Sequence, residues 1–475
     1  MTTAGFSALI LMGGFFILMF LHIPVTFAML IATVTAAAIS GLNIATLLSP
    51  MLDGVSNFSL LAIPFFILMG EIMGAGKISD RIVDLANLIV GRFRGGLAYV
   101  NVLDSTFFGG ISGSAVADVS SLGSVVIPLM VKQGYNPEFT VGLTVTTACQ
   151  GVLIPPSHNM VIYALAAGGG VSIAHMFMGG ILPGLWLGFC FMVYCYFAGK
   201  KYNFPKGESI GTKDPVKWIS FRKTSGGTRW SNKQDPATWR IISNPSFTCI
   251  LGKRMGIVIN SVLPMLIMVI ILVGVGAGIF TATESAAVAC VYAFILTYFI
   301  LRSDRLSDFP NVLKNSLKTL ATVLSLIASA KAFAYMMTDL RIPEMITNGL
   351  LTISDNRVVL LLIINLMLLI LGCFMDMAPL IMIMTPILLP VVTGPIIHMN
   401  PVHFGIMLIF NLAIGLCTPP VGTALFVGCA VGHTSLEKTS KATLGLFGTM
   451  VFALMVVTFV PGFTTWIPME LFGSV

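Results

Sequence analysis

The stretch FFGGISGSAVADVSSLGSVVIP, residues 107–128, interrupts a strongly apolar chain with five serines, a glycine-rich turn and one carboxylate, Asp118. Working outward, the chain is 56% hydrophobic and 9% charged, whereas soluble domains carry about 25% charged residues. Apolar runs such as FSALILMGGFFILMFLHIPV, SVLPMLIMVIILVGVGAGIF and VVLLLIINLMLLILGCFM recur along it. Each is long enough to cross a hydrocarbon core of about 30 Å as a helix, so a polytopic protein of the lipid bilayer is expected. The first 76 residues hold no Lys or Arg. The basic start of a cleavable signal peptide is therefore missing, and the first helix is expected to be retained.

Eight cysteines and six histidines are scattered without metal-ligand spacing. No Asp-rich metal motif, zinc-binding His pair or nucleophile paired with a base is evident, which argues against an enzyme. The net charge of +7 does not point to nucleic acid, because twelve of the 26 basic residues fall between Lys200 and Arg254. Such a segment reads as a cytoplasmic loop by the positive-inside rule.

Helices are expected near 6–22, 24–48, 56–76, 137–170 (broken) and 173–198 before that loop. After it come 256–278, 284–302, 317–338, 402–431 (broken) and 443–466. Two shorter paired segments, 97–131 and 358–391, read as re-entrant hairpins. Counting crossings from the loop puts 23 of the 26 basic residues on one side, leaving Lys331, Arg341 and Arg357. Five crossings per half turn the two halves opposite ways.

An internal repeat accompanies that inversion. Asp118 precedes Pro128 by ten positions, and Asp376 precedes Pro386 by ten. Asn136-Pro137 with Phe139 is matched by Asn400-Pro401 with Phe404, and each is followed at the same distance by Pro155-Pro156 or Pro419-Pro420. Paired prolines remove backbone donors and free carbonyls, so each helix must unwind. Unpaired backbone at membrane depth is tolerated only where it lines an enclosed or water-filled cavity. Ser112-Gly113-Ser114 is the partner break, where glycine turns the chain and the hydroxyls either offer oxygen ligands or only hold neighbouring helices together. Facing breaks supply oxygens for a hard cation and positive helix ends for an anionic substrate. Asp118 and Asp376 could bind the ion, relay protons or cap the helix that follows. Arg341 could neutralise a substrate anion or pair with Asp339 or Glu344. Lys331 is a second cation beside an apolar segment.

The segments FSLLAIPFFILMGEIM, GGISGSAVADVSSLGSVVIPLM, LIPPS, GIFTATESAAVA, FMDMAPLIMIMTPILLP, NPVHFGIMLIFNLAIGLCTPPVG and FVPGF occur in this order. Together they resemble the large membrane (DctM-like) subunit of tripartite ATP-independent periplasmic transporters. The resemblance implies an all-α polytopic fold, an inverted-repeat elevator-type transporter with two re-entrant hairpins and two broken helices. It also implies a multi-pass permease of a bacterial or archaeal cytoplasmic (inner) membrane that imports small organic acids, such as a C4-dicarboxylate or sialic acid, coupled to Na+. A periplasmic substrate-binding protein would deliver the acid, and a small four-helix membrane subunit would brace the scaffold. A stand-alone Na+- or H+-coupled carrier of the same architecture is the alternative.

By motif match, ions and substrate fall to Ser112–Ser114 with Pro155, Pro156 and Ser157, and to Cys373–Ala378 with Thr418, Pro419, Pro420, Gly422 and Thr423. Na+ would sit at Ser112, Ser114, Thr418 and Thr423. The expected domains are scaffold helices 1–96 and 256–357, transport halves 97–198 and 358–435, and a C-terminal helix 436–475. Between them lies a basic loop, 199–255, longer than the family's loops and without helical periodicity.

Overall fold

The structure, a computed structural model, describes residues 3–21, 23–76, 78–205, 247–420 and 422–473. These residues fold into α-helices joined by short turns, with no strand among them. In the first half the helices are α1 (Thr3–Phe20), α2 (Val25–Ser40), α3 (Leu48–Ser56), α4 (Ala62–Ala75), α5 (Ile78–Val90), α6 (Gly96–Ser112), α7 (Ala115–Lys132), α8 (Pro137–Leu153), α9 (His158–Ala166) and α10 (Ile173–Lys201). The second half continues with α11 (Phe247–Gly276), α12 (Ala282–Ile295), α13 (Phe309–Asp339), α14 (Ile342–Ile353), α15 (Arg357–Gly372), α16 (Met377–Thr393), α17 (Pro401–Gly415), α18 (Thr423–Gly432), α19 (Leu436–Phe459) and α20 (Gly462–Phe472).

Among the described residues, six helical stretches are long and apolar enough to cross a membrane, and the bent pair α4–α5 would make a seventh. Their outer faces carry large exposed hydrophobics such as Phe197, Val273, Phe299 and Phe452, as expected where lipid rather than water is the solvent. Because α7 is one of the six, its length alone does not separate a hairpin limb from a full span.

The expected helix 24–48 ends at Ser40, 317–338 begins at Phe309, and α3, α5 and α14 are additional to the expected helices; three further differences bear on the expected domains. Helix α10 runs on through Lys201 and α11 begins at Phe247, so both ends of the expected 199–255 loop are helical. The intervening residues 206–246 lie outside the described residues. The expected single C-terminal helix is two, α19 and α20, divided at Val460–Pro461.

Equivalent helices begin by equivalent means. Asn136 Oδ1 accepts from Phe139 N at 2.9 Å to start α8, and Asn400 Oδ1 accepts from Val402 N at 2.8 Å to start α17. In each case the following proline occupies the first turn, where a missing N–H costs nothing. These two helices are the centre of the fold, with 139–153 and 402–415 buried without interruption.

Packing follows the repeat. Helix α2 packs on α13 and α4 on α12; α7 packs on α18 and α9 on α16; α6 packs on α8 and α15 on α17. Each of these contacts thus has a repeat-related counterpart, and the α2–α13, α4–α12, α7–α18 and α9–α16 pairs interlock the halves. Paired buried polar groups reinforce this. Thr147 Oγ1 donates to Asn101 Oδ1 at 3.0 Å, and Asn411 Nδ2 donates to Asn365 Oδ1 at 2.9 Å. Asn101 and Asn365 stand 264 positions apart, as do Asn136 and Asn400.

The repeat register around the carboxylates needs correction. Asp376 is the residue that precedes α16, the place Ser114 takes before α7, whereas Asp118 lies inside the first turn of α7. By helix position Ser114 and Asp376 are counterparts, and Pro128 corresponds to Pro390 rather than Pro386.

Candidate functional site: two helix breaks and two unwound Pro-Pro turns

The first break forms because α6 ends in a left-handed glycine, Gly113 at φ 61°, whose N–H reaches back to Gly109 O at 2.9 Å. That conformation is open to glycine and disfavoured for residues with a Cβ. Ser114 then starts α7, its Oγ accepting from Ala117 N at 3.4 Å. Ser112 Oγ donates to Asp118 Oδ1 and accepts from Ser114 N at 3.3 Å, so hydroxyl and carboxylate close over the turn.

The Pro155-Pro156 turn comes directly against this break. A Cβ on Gly113 would stand 2.8 Å from Pro156 O and 3.1 Å from Ser157 Cα. Beneath it, α6 and α8 cross at Gly109 and Gly151, where a Cβ on Gly151 would be 2.6 Å from both Gly109 Cα and Asp118 Oδ2. Ser112, Gly113, Ser114, Asp118, Pro156 and Ser157 are therefore brought to one place. Two of their oxygens, Asp118 Oδ2 and Ser157 Oγ, are buried and have no hydrogen-bond partner among the described residues. Most buried polar atoms are satisfied, so two such orphans side by side at one helix break call for an explanation. The convergent groups are hydroxyl, carboxylate and carbonyl oxygens, a donor set that suits a hard cation and excludes preference for a soft one.

The second break is built alike but is more open. Helices α15 and α17 cross at Gly372 and Gly415, where a Cβ on Gly415 would be 2.6 Å from the Gly372 backbone. Asp376 receives the Thr423 hydroxyl at 3.5 Å, tying this break to the start of α18. Thr418 Oγ1 is turned back to Ile414 O at 2.8 Å. The Thr418 and Leu416 carbonyls instead close round Gly422, at 2.8 and 3.2 Å from where its Cβ would be. Asp376, Pro419 and Pro420 are exposed. Both Pro-Pro peptide bonds are cis.

Across the halves, Cys149 Sγ of α8 meets Cys417 Sγ at 2.9 Å, next to the second Pro-Pro turn. Arg341 stands apart. It is exposed, precedes α14 in a left-handed conformation at φ 53°, and makes no hydrogen bond or ion pair with any break residue. Sequence reasoning passed over Asp104, which is fully buried on α6 with neither carboxylate oxygen partnered among the described residues. Its signal was an acid inside the apolar run VLDSTFF. The asparagines Asn101 and Asn365 were also missed, though the 264-residue spacing of the Asn-Pro pairs leads to them.

Comparison with known proteins places the whole chain. Residues 12–463 match the family model described as tripartite ATP-independent periplasmic transporter, DctM component. The chain is 36% identical to Salmonella typhimurium YgiK over 98% of this chain and 97% of that protein. It is 35% identical to the Vibrio cholerae C4-dicarboxylate TRAP transporter large permease protein DctM, over 88% and 87%. To the Vibrio cholerae sialic acid TRAP transporter large permease protein SiaM it is 34% identical, over 97% of each. The crystal structure of the Alcanivorax borkumensis YdaH transporter superposes with a TM-score of 0.56 at 13% identity, covering 90% of this chain and 89% of that one. At that identity the likeness speaks for the fold alone.

Proposed function

Because this chain belongs to the DctM component of the tripartite ATP-independent periplasmic transporters, a permease family and not an enzyme, we propose that it is the large subunit of a sodium-coupled importer of small organic acids. A periplasmic binding protein supplies the acid, and a small membrane subunit completes the permease in the cytoplasmic membrane. The observation that carries the coupling is the first break. There Asp118 Oδ2 and Ser157 Oγ are buried without partners, beside the Pro156 carbonyl that Gly113 admits. A sodium ion would be held by Ser112, Ser114, Asp118 and Ser157 together with freed carbonyls, and a second by Thr418 and Thr423 with Asp376. The starts of α7, α9, α16 and α18 place partial positive charge toward a substrate carboxylate.

In this reading α6–α7 and α15–α16 are re-entrant hairpins entering from opposite faces. With α8–α9 and α17–α18 they form one body that travels across the bilayer against α2, α4, α12 and α13. The pairings of α7 with α18 and α9 with α16 support a single body, since each joins a first-half limb to a second-half limb. Arg341 is left out of the substrate site.

The test is uptake into proteoliposomes holding the two membrane subunits, with binding protein outside. An inward sodium gradient should drive accumulation, and Ser112→Ala and Ser114→Ala should cut it severely. Equal uptake on a proton gradient in sodium-free buffer would overturn the coupling, and equal uptake without binding protein would overturn the tripartite assignment.

A further inference from the structure

A cavity of about 640 Å³ with a mixed polar and apolar lining lies away from the breaks, between α3, the end of α9 and α13. Its volume is within the range of about 300–1,000 Å³ typical of small-molecule sites. Lys331 of α13 lines it, half-buried, with its stem pressed on α3: a Cβ on Gly54 would be 2.7 Å from Lys331 Cγ. Its Nζ donates to Leu165 O at 2.9 Å, in the last turn of α9, where a cation meets the negative helix end. An ammonium carries three donors, and this contact uses one.

Asp53 lines the same cavity, is exposed, and accepts from Ser49 Oγ at 3.4 Å. It forms no ion pair with Lys331. A cation and a carboxylate thus line one cavity without forming an ion pair, and Thr46 and Tyr335 line it as well. Lys331 as a mere cap for α9 would explain the Leu165 contact but not a cavity of this size lined by a carboxylate as well.

We propose that this cavity binds a small organic acid that also carries a hydroxyl or ammonium donor, its carboxylate on Lys331 and its donor on Asp53. The identity of that acid as cargo rests on the permease reading. The chemistry of the cavity does not. The site would be a holding position beside the path, separate from the breaks. Charge-assisted hydrogen bonds on both ends favour a hydroxy acid over the same acid lacking the hydroxyl.

The experiment places one cysteine at Thr46 in a chain whose native cysteines are replaced, purified with its small membrane subunit in sodium-free detergent. Labelling by an impermeant thiol reagent is timed with malate, succinate or sialic acid. Malate or sialic acid should slow labelling at concentrations where succinate does so less. Lys331→Gln should weaken protection by about tenfold or more, as loss of a charged hydrogen bond does. Lys331→Arg should keep part of it, and Asp53→Leu, which removes the acceptor, should erase the preference for malate over succinate. Ser112→Ala should leave protection intact.

If none of the three acids protects, or if Lys331→Gln is protected like the parent, the site is overturned. Protection lost in Ser112→Ala but kept in Lys331→Gln would put the acid at the breaks, overturning the cavity site and sparing the permease reading. Protection at the cavity without sodium-driven uptake would do the converse. Should the cysteine-replaced chain not fold, heat-stability shifts of the native-cysteine chain and its Lys331→Gln variant with the same acids decide the matter by the same criteria.

Discussion

Replacing Gly415 by alanine adds one methyl group where two helix backbones touch. The new Cβ would stand 2.6 Å from the C, Cα and O atoms of Gly372, whereas ordinary contacts begin at 3.4 Å. The obstacle is backbone, so no side chain can swing aside. Helices α15 and α17 must separate by roughly the 0.8 Å difference, prising open a buried crossing next to the Asn365–Asn411 pair. Overpacking of this kind costs about 1–3 kcal/mol. The gain of at most about 1 kcal/mol from replacing glycine in a helix is reduced here because Gly415 is the last residue of α17. Net destabilisation of about 1–2 kcal/mol is expected. Gly448→Ala is the control, since a Cβ there meets nothing within 4 Å in the middle of α19. The assay is heat unfolding in detergent followed by tryptophan fluorescence, with uptake normalised to folded protein. Gly415→Ala should melt below the parent and transport more slowly per folded molecule, while Gly448→Ala should match or exceed the parent in both. Equal melting of the two variants would refute the inference that the glycine crossing is needed for the close approach of these backbones.

Asn411→Leu should destabilise by about 1–3 kcal/mol in the same melting assay, because it strips the donor from buried Asn365 Oδ1. The double variant Asn365→Leu/Asn411→Leu should recover part of that loss, since neither polar group is then left behind. Oxidative bridging of Cys149 to Cys417, checked by mass spectrometry, should leave sodium-driven uptake intact if, as proposed, α8 and the turn after α17 travel as one body. Arg341→Gly should keep uptake and raise heat stability slightly, because it relieves a left-handed backbone without removing a contact at the breaks.

The positions where helices stop were legible in the residues themselves. Proline pairs cannot continue a helix, and Asn-Pro is a helix start by local chemistry, so Asn136, Pro155, Asn400 and Pro419 needed no tertiary information. The pairing of Asp118 with Asp376 misled because α16 contains two prolines, and Pro386 happens to lie ten residues from Asp376. Helix position makes Pro390 the counterpart of Pro128, a distinction visible only once the two tips are seen to differ in length. The Gly109–Gly151 and Gly372–Gly415 crossings were equally hidden, since contact between segments about forty residues apart leaves no local mark. The acid in VLDSTFF marks Asp104 in the sequence, but its complete burial depends on α6 being surrounded, which no local pattern announces.

The reciprocal exchange of limbs, α7 against α18 and α9 against α16, also bears on how the molecule is made. When the ribosome has finished α10, the first half has been inserted with faces on α7, α8 and α9 that α16, α17, α18 and α19 later cover. It must wait, incompletely packed, for partners that follow the long polar segment after Lys201. Contacts of such long sequence separation form late and slowly, and a waiting intermediate is exposed to degradation and misassembly. Either half expressed alone should therefore be cleared by membrane proteases. The two halves expressed as separate chains in one cell should each protect the other, because neither has a complete interior of its own.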